Sequence, residues 1–466
     1  MNDNETNRRG HAPFVVVIAI AIVGILGVVP WEGCTDGKVK NYNIVGDLAP
    51  DDADTASAVA AIRVEEVSVP GDTVLATTDT TDTVGTARSA APVELPAPKP
   101  SRVGELTVIE DYSEAQNGLD NIAATLAQGR TARIAVVGDS YIEGDIMTQD
   151  LRALLQEAYG GSGVGFMNMH SEFPGFRQSV TQGGNGWKCY TATKRGKSEY
   201  MGLSEQYAVP QGTATATYKG SKRVDHAREW QRSQFLFVSP NDAMVSTRTN
   251  GGEWTTHSVT GSTAVQSIEV DSASTTSFEL KTSDTSLAAL GVWLDGTGRG
   301  VSVDCMSSRG IPGYSLSKIS VDLCRQMSQY VDYDLIILEF GINVLSAQQT
   351  NYSVYAKNMV NAISHLRECY PKARILVMGI GDRGEKRDGR VRSMSTVPAM
   401  IEAQRTAARQ AGTLFWDTRD AMGGEDAIVD WSKNGFANKD YVHLTHKGGR
   451  RLATSLAAAL KQMIGQ

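Results

Sequence analysis

Several features that define common classes of protein are missing from this sequence of 466 residues. Its seven histidines include no pair with zinc-site spacing and further ligands nearby, so a zinc centre is not predicted. No glycine-rich loop matches the P-loop or the dinucleotide-binding fingerprint. The net charge is -7, and no stripe of Lys and Arg is interleaved with aromatic residues, so we expect no nucleic-acid partner.

Cysteine is also scarce, and its arrangement excludes a CxxC redox or metal motif. Small buried hydrophobic side chains are the simplest interpretation of the five cysteines. A disulfide remains an alternative if the domain lies outside the cytosol. The five residues are Cys34, Cys189, Cys305, Cys324 and Cys369.

A long run without charge lies near the N-terminus. Residues 12–30 contain no charged side chain and approach the ~20 residues that are needed to cross a bilayer. Arg8 and Arg9 precede the run, which favours a cytoplasmic tail over residues 1–11 and export of the rest of the chain. We therefore expect a single-pass anchor at 12–30. A cleaved signal peptide is the main alternative, although no A-x-A site follows, and Cys34 lacks a good lipobox before it.

The next segment, residues 31–105, is rich in Asp, Thr, Ala, Val and Pro and shows no lasting periodicity. Such a segment cannot bury enough apolar surface to offset its ordering entropy. Its proline-rich end favours an extended, semi-rigid chain. The sequence thus predicts a disordered linker between the membrane and a folded domain.

The rest of the chain contains two kinds of sequence pattern. In residues 106–165 and 306–466, short apolar strands alternate with amphipathic segments such as Ser113–Gln128 and Thr148–Tyr159. This alternation predicts an α/β domain with a parallel sheet flanked by helices. Residues 166–305 instead contain strand-like segments separated by turn signals. We expect these residues to form a β-sandwich that is inserted into the α/β domain.

Polar residues follow two of the predicted strands and occupy one late loop. The apolar run Ile134–Gly138 leads to Ser140, and ligands of open α/β sheets bind at such carboxyl ends of strands. Alone, this serine is also explained as a helix N-cap. Asn343 follows a later apolar strand, and Asp440 and His443 lie in a loop before the last helix.

These residue types meet the needs of an ester hydrolase, which uses a nucleophile, a base and donors for an oxyanion. Asp440 and His443 are three residues apart, so a turn-like loop brings the carboxylate close to the imidazole. The carboxylate then fixes the imidazole tautomer.

Four segments resemble, in order, the sequence blocks of the SGNH/GDSL hydrolases. They are Gly138-Asp139-Ser140, Gly313 within Ile311–Ser315, Gly341-Ile342-Asn343, and Asp440-Tyr441-Val442-His443. The resemblance covers 106–165 and 306–466 and implies a flavodoxin-like parallel sheet. It implies Ser140 as nucleophile, His443 as general base and Asp440 as the group that orients His443. It further implies an oxyanion hole made by Gly313, Asn343 and the Ser140 backbone, and it implies no metal or organic cofactor.

A narrower resemblance points to bacterial peptidoglycan O-acetylesterases. Residues 138–145 and 163–166 are similar to the opening of those enzymes, whose SGNH core is also interrupted by a β-sandwich resembling a carbohydrate-binding module. This implies an esterase that removes O-acetyl groups from a cell-envelope glycan. With the anchor at 12–30, we expect the catalytic domain in the periplasm or another extracytoplasmic space, tethered to the inner membrane.

Several residues have competing interpretations. His446 is a rival to His443 as the base, and Gly310 is a rival to Gly313 in the second block. Some members of the family work as a dyad, so Asp440 has a purely structural role as its alternative. The third block usually continues with Asp or Glu, whereas Val344 stands here, and this leaves the orientation of Asn343 open.

Two further acids and the tryptophans of the insert have simpler interpretations. Asp139 is expected to stabilise its turn, and Asp145 is expected to be the N-cap of the next helix. Core packing is favoured over sugar binding for the insert tryptophans, which are Trp187, Trp230, Trp254 and Trp293.

Three other functions remain open at this point. A lipid or thioester acylhydrolase would need a long apolar pocket for its acyl chain. An O-acetyltransferase would exclude water from the acyl-enzyme. A non-catalytic glycan-binding envelope protein would not need the full set of serine, histidine and aspartate.

Overall fold

The computed structural model describes residues 102–103, 106–192 and 198–465. The expected tail at 1–11, the anchor at 12–30 and the linker at 31–105 lie outside these ranges, except that Arg102–Val103 forms strand β1. Within the described ranges, no helix is both long enough and apolar enough to span a bilayer.

Eight helices and ten strands of the described chain lie outside the β insert. The helices are α1 Asp120–Ala127, α2 Thr148–Tyr159, α3 Val321–Met327, α4 Ser353–Cys369, α5 Val397–Ala411, α6 Thr418–Met422, α7 Ala427–Lys433 and α8 His446–Ile464. The strands are β1 Arg102–Val103, β2 Leu106–Thr107, β3 Glu110–Asp111, β4 Thr131–Gly138, β14 Gly300–Ser307, β15 Leu335–Glu339, β16 Arg374–Met378, β17 Gly384–Arg387, β18 Arg390–Ser393 and β19 Leu414–Trp416.

Six of these strands form the central sheet, in the order β14-β4-β15-β16-β19-β3. All neighbours are parallel except β19 and β3. Numbered along the chain, the five parallel strands follow the flavodoxin-like order 2-1-3-4-5. The order reverses at β4, because the next strand lies on one side of it and the following strand on the other. A site at the carboxyl end of β4 therefore lies at the topological switch point.

The apolar run in β4 explains why the strand is central. Ile134 and Val136 belong to one hydrophobic cluster, with side chains from α1, α2 and α8. Ala135 and Val137 belong to a second cluster, with side chains from α3, α4 and α5. Since both faces of the strand are covered, nearly every position is apolar, as is typical of a parallel sheet. The mixed α/β fold with a central parallel sheet is thus confirmed.

One predicted helix is shorter than expected. The segment Ser113–Gln128 was predicted to be helical throughout, but α1 begins only at Asp120. The Asp111 carboxylate accepts hydrogen bonds from the backbone N–H groups of Ser113 and Gly118 at 2.9 Å each. Gly118 has φ +54°. The side chain of Asp111 thus holds these residues in turns, since it offers their N–H groups an alternative to helical bonding.

The segment between β4 and β15 contains nine strands of a second, antiparallel sheet. They are β5 Gly163–Met167, β6 Val180–Thr191, β7 Gln206–Gly220, β8 Trp230–Ser239, β9 Ala243–Thr249, β10 Thr255–Val259, β11 Ser262–Thr275, β12 Ser277–Thr282 and β13 Ala288–Asp295. The expected all-β insert is therefore present.

Strand β7 joins two parts of this sheet. At Ala208 it pairs with β13, whereas Ala214–Lys219 pairs with β12. Between these parts lies Gly212 at φ +85°, a conformation that glycine adopts without steric cost. The neighbouring strand β6 has a register shift at the same level, between Asn185 and Trp187. Strand β7 thus changes one pairing partner along its length, while β6 stays paired with β7 on both sides of the shift.

Both ends of the insert differ from the expected range of 166–305. Strand β5, which begins at Gly163, pairs with β13 in the antiparallel sheet. Strand β14, which was predicted as part of the insert, pairs in parallel with β4 over its whole length. Its pattern of apolar residues fits either sheet, and the pairing that decides between them joins residues 169 positions apart, such as Gly300 and Thr131.

Candidate active site

The nucleophile candidate lies in a tight turn after β4. Asp139 N–H donates to the backbone oxygen of Glu339 on β15 at 3.2 Å. A Cβ at Gly138 would lie 2.6 Å from that same oxygen, so only glycine permits this approach of the two strand ends. The turn leaves Ser140 half-buried on the wall of a cavity.

Ser140, His443 and Asp440 are brought together in one hydrogen-bonded row. Ser140 Oγ lies 3.0 Å from His443 Nε2, and His443 Nδ1 lies 2.7 Å from Asp440 Oδ2. The second oxygen of Asp440 accepts the backbone N–H groups of Val442 at 2.9 Å and of His443 at 3.1 Å. The loop is therefore built around the carboxylate, with Tyr441 at φ +57° in its turn.

The pKa of the Asp440 carboxyl is lowered. Its partial burial acts in the opposite direction, but the hydrogen bonds from the His443 ring and from the two backbone N–H groups outweigh that effect. An ionised carboxylate at this position can hold the Nδ1 proton of His443, which leaves Nε2 free to accept the proton of Ser140.

The rival histidine has other partners. His446 is the first residue of α8, and its Nδ1 lies 3.2 Å from the amide nitrogen of Gln149. Its ring lies 5.8 Å from the ring of Phe176. His443, and not His446, thus makes the contact with Ser140.

Gly313 is held in a conformation and a space that only glycine fits. It has φ +92°, and a Cβ there would lie 2.6 Å from the ring of Phe340. Its rival Gly310 has open space around it. The buried Gly313 precedes the short 3-10 helix Tyr314–Lys318 at the end of the sheet that also carries Ser140.

Asn343 is oriented by Asp139. Its amide Nδ2 donates to Asp139 Oδ2 at 2.7 Å, while Asp139 Oδ1 accepts the Tyr141 N–H at 2.9 Å. Val344 packs against the hydrophobic cluster on this side of the sheet. The orientation that was left open by Val344 is therefore provided by Asp139, which also stabilises its own turn as expected.

A buried pair of acids beneath the turn was missed by the sequence reasoning. Burial raises the pKa of Asp139 to about 7, against the opposing effects of the Tyr141 N–H, His443 and Asn343. Glu339 is fully buried, and both of its carboxylate oxygens lack a hydrogen-bond partner among the described residues. Burial, together with the charge of Asp139, raises the pKa of Glu339 well above its usual range. The signal was a lone acid at the end of the apolar run Leu335–Glu339.

Asp145 is not the helix cap that we expected. It is fully buried, and both of its oxygens accept hydrogen bonds from the guanidinium of Arg152, at 2.8 and 2.9 Å. Arg177, at the entry of the insert, lies 3.2 Å from Asp145 and donates to the backbone oxygens of Phe166 and Val164. Although burial alone would raise the pKa of Asp145, these two guanidinium groups lower it. Asp145 thus connects the insert to the segment that follows Ser140.

The insert supplies one wall of the cavity that contains Ser140. This cavity measures about 530 Å³, and Phe173 and Phe176 line it from the connection between β5 and β6. The two rings are 56% and 41% exposed, respectively. A Cβ at Gly144 would lie 2.1 Å from the ring of Phe176. The lack of a side chain at Gly144 therefore leaves room for this ring. Sequence reasoning overlooked this aromatic pair, although Phe173-Pro174-Gly175-Phe176 marks a turn with exposed rings.

The tryptophans of the insert lie away from this cavity. Trp230 and Trp293 are buried in hydrophobic clusters, as the core interpretation predicted. The ring of Trp254 instead lies close to two cationic groups, 4.6 Å from the guanidinium of Arg248 and 4.2 Å from the ammonium of Lys281. Among the described residues, no group of three or more His, Cys, Asp or Glu side chains is arranged to hold a metal ion.

Comparison with known families agrees with this geometry. The model of the GDSL-like lipase/acylhydrolase family matches residues 274–451. The match supports an esterase that is similar to this family. The matched range contains Gly313, Asn343, Asp440 and His443, whereas Ser140 precedes it and is linked to them by its contact with His443. The sequence-based recognition of the family is confirmed.

Solved structures support the same fold. A peptidoglycan O-acetylesterase aligns with a TM-score of 0.62 and 24% identity, over 76% of this chain and 99% of that chain. At this identity, the likeness concerns the fold. A family two carbohydrate esterase from Cellvibrio japonicus is 10% identical over 61% of this chain and 98% of its own, with a TM-score of 0.26. An acetyl xylan esterase is 20% identical over 34% of this chain and 81% of its own, also with a TM-score of 0.26. A TM-score of 0.26 is too low for either structure to support an argument about this chain. No curated protein matches the chain.

Proposed function

We propose that this esterase removes O-acetyl groups from a cell-envelope polysaccharide, with peptidoglycan as its substrate. The observation that carries the proposal is the row of contacts from Ser140 Oγ through His443 to Asp440, at the switch point of the sheet. This row is the arrangement that activates a serine hydroxyl for acyl transfer.

In the proposed reaction, Ser140 Oγ attacks the acetyl carbonyl carbon while His443 Nε2 accepts the hydroxyl proton. The tetrahedral intermediate collapses, the bond to the sugar oxygen breaks, and His443 returns the proton to that oxygen. Water, activated by His443, then attacks the acyl-enzyme and releases acetate. Asp440 holds His443 in its tautomer and stabilises the imidazolium during both steps.

The developing oxyanion needs preorganised donors. We assign this role to the backbone N–H groups of Ser140 and Gly313 and to the side chain of Asn343. One N–H of the Asn343 amide is held by Asp139, and an amide carries a second N–H that can point to the intermediate. Asp139 thus acts on the reaction through Asn343.

The glycan substrate is supported by the cavity and by the insert. Exposed aromatic rings such as Phe173 offer flat apolar surface beside the nucleophile. The match to the peptidoglycan O-acetylesterase of similar fold covers 76% of this chain, which is more than the hydrolase part alone, so it extends into the insert. We further propose that the antiparallel sheet folds over at Gly212 into a sandwich, and that it holds the glycan.

Residues 12–30 would anchor the enzyme in the inner membrane, with the catalytic domain on the outer side. A disordered linker over residues 31–105 would let it reach a wall polymer. Fractionation of cells that express the full chain, followed by protease treatment of spheroplasts, tests this topology. A protected catalytic domain would contradict it.

A lipid or thioester acylhydrolase is the second candidate. The apolar walls formed by Ile146, Phe176 and Leu444 beside Ser140 favour it, because they would also suit a longer acyl chain. Rates on p-nitrophenyl esters of increasing chain length separate the two functions. If the protein is an O-acetylesterase, the hydrolysis rate is highest with the acetate ester. A rate that is highest with long-chain esters would select the lipid acylhydrolase.

The deciding experiment measures acetate release from O-acetylated peptidoglycan and hydrolysis of p-nitrophenyl acetate by residues 102–466 and by its Ser140→Ala variant. We expect the wild type to act on both and the variant on neither. Equal rates for the two proteins would contradict the serine mechanism. Activity on the small ester alone would remove the glycan substrate. Glycan binding without turnover would select a non-catalytic binding protein, and acetyl transfer to a second sugar would select a transferase.

A further inference from the structure

A second cavity, here called the junction cavity, lies where the insert meets the α/β domain. Its volume is about 350 Å³, within the range of ligand sites in proteins. Glu143, Phe173, Phe176 and Arg309 line both this cavity and the one that contains Ser140. The two spaces therefore lie side by side, with these four residues between them.

Each domain provides part of the junction cavity. Asn168, Gln182 and Gln206 come from the insert, and Ser307 and Ser308 come from the carboxyl end of β14. All five are half-buried. The cavity thus offers amides on one side and hydroxyls on the other, and neither domain forms it alone.

The amides are already ordered by contacts with one another. Gln182 Nε2 donates to the backbone oxygen of Asn168 at 2.7 Å and to its side-chain oxygen at 3.0 Å. Asn168 Nδ2 in turn lies 3.5 Å from Gln206 Oε1. Three neighbouring segments of the insert thereby hold a row of amides, so little side-chain entropy is lost when a polar ligand binds them.

Charged groups of the cavity are largely paired within the protein. Arg309 is bonded to Glu143, and its guanidinium also lies 5.2 Å from the ring of Phe173. Arg177 is paired with Asp145. With these charges satisfied, the cavity favours an uncharged ligand with hydroxyl and amide groups over an acidic one.

We propose that the junction cavity is a second sugar subsite, which binds an uncharged acetamido sugar next to the sugar whose ester is cleaved. This inference rests on the proposed glycan substrate and specifies it. The enzyme would then require at least two linked sugars for full activity, with one on each side of the wall formed by Phe173 and Arg309.

The test compares the double variant Gln182→Ala/Gln206→Ala with a matched control, Gln211→Ala. Gln211 is an exposed glutamine on the same strand as Gln206 and lines neither cavity. Each protein is assayed with p-nitrophenyl acetate, an O-acetylated single sugar and O-acetylated peptidoglycan fragments of two or more sugars. We expect the double variant to lose about tenfold in kcat/KM on the fragments and to match wild type on the two smaller substrates. An equal loss on all three substrates, or no loss on the fragments, would overturn the proposal.

A binding measurement separates this proposal from the proposed function. Calorimetry with Ser140→Ala and β-1,4-linked N-acetylglucosamine oligomers needs no ester and no turnover. We expect binding that weakens about tenfold when Gln182→Ala/Gln206→Ala is added. If the enzyme leaves O-acetylated glycan intact and this binding persists, the substrate proposal fails and the subsite stands. Absence of oligomer binding would overturn the subsite, whatever the hydrolysis result.

Discussion

Two regions meet at His443, and each contributes one aspartate with opposite electrostatics. The loop that carries Asp440 is partly exposed, and hydrogen bonds lower the pKa of its carboxyl. The turn that carries Asp139 is buried, and burial raises the pKa of that carboxyl to about 7. The comparison teaches that the residue type alone does not set the role. Asp440 contacts the ring of His443, and the buried Asp139 positions the amide of Asn343.

The largest expected effect belongs to the loop. We expect Asp440→Asn to lower kcat on p-nitrophenyl acetate by about 10³- to 10⁴-fold, because the amide favours the wrong tautomer of His443. Steady-state kinetics and a thermal melt measure the effect and the integrity of the fold. A loss below tenfold would mean that His443 is oriented without Asp440, as in dyad members of the family.

The second largest effect is expected at Asn343, whose amide is positioned by Asp139. We expect Asn343→Ala to lower kcat by about 10²- to 10³-fold, the usual cost of losing one oxyanion donor, with little change in KM. The control is Asn438→Ala, because Asn438 lines the cavity that contains Ser140 but has no place in the proposed machinery. Equal effects of the two variants would exclude Asn343 as a specific donor.

A smaller effect is expected at Asp139 itself. Asp139→Asn keeps an oxygen that can accept from Asn343, so we expect a loss of about tenfold in kcat. The double variant with Asn343→Ala should then lose no more than Asn343→Ala alone, since Asp139 acts through that amide. Additive losses in this cycle would show that Asp139 acts by another route.

The smallest effect concerns stability and pH. Because the pKa of Asp139 rises from 3.8 to about 7 on folding, the native state binds more protons than the unfolded state between these values. The free energy of unfolding should therefore fall as the pH rises from about 4 to about 7. Glu339, whose pKa is also raised, acts in the same direction. Asp440 has the opposite sign, since its lowered pKa contributes stability that is lost at acidic pH.

Denaturant titrations at several pH values test this sign. Asp139→Asn and Glu339→Gln should each flatten the decline, because the replaced group no longer ionises. A wild-type stability that rises between pH 4 and pH 7, or variants with an unchanged slope, would contradict the assignment.

The two regions also differ in how far the sequence predicts them. Ser140, Asn343, Asp440 and His443 were predicted as site residues because each belongs to a local motif at a strand end or in a loop. The link from Asn343 to Asp139 was not, since it joins residues 204 positions apart. The aromatic wall from the insert was missed for the same reason, because its position depends on how two domains pack.

The helices and strands show the same difference between local signals and long-range contacts. Helix α2 was predicted with its observed bounds, since amphipathic spacing is a local signal. The assignment of β14 to a sheet was wrong, because strand partners are chosen over long distances. The prediction that a helix begins at Ser113 was wrong, because the Asp111 carboxylate accepts backbone N–H groups of this segment.

The most direct test of the central claim is covalent labelling of the wild type, Ser140→Ala and His443→Ala with a fluorophosphonate, followed by peptide mapping. The account predicts one label on the peptide that contains Ser140, no label in Ser140→Ala, and much slower labelling in His443→Ala, because the imidazole no longer accepts the hydroxyl proton. A label on a different residue, or ester hydrolysis that survives in Ser140→Ala, would contradict the account.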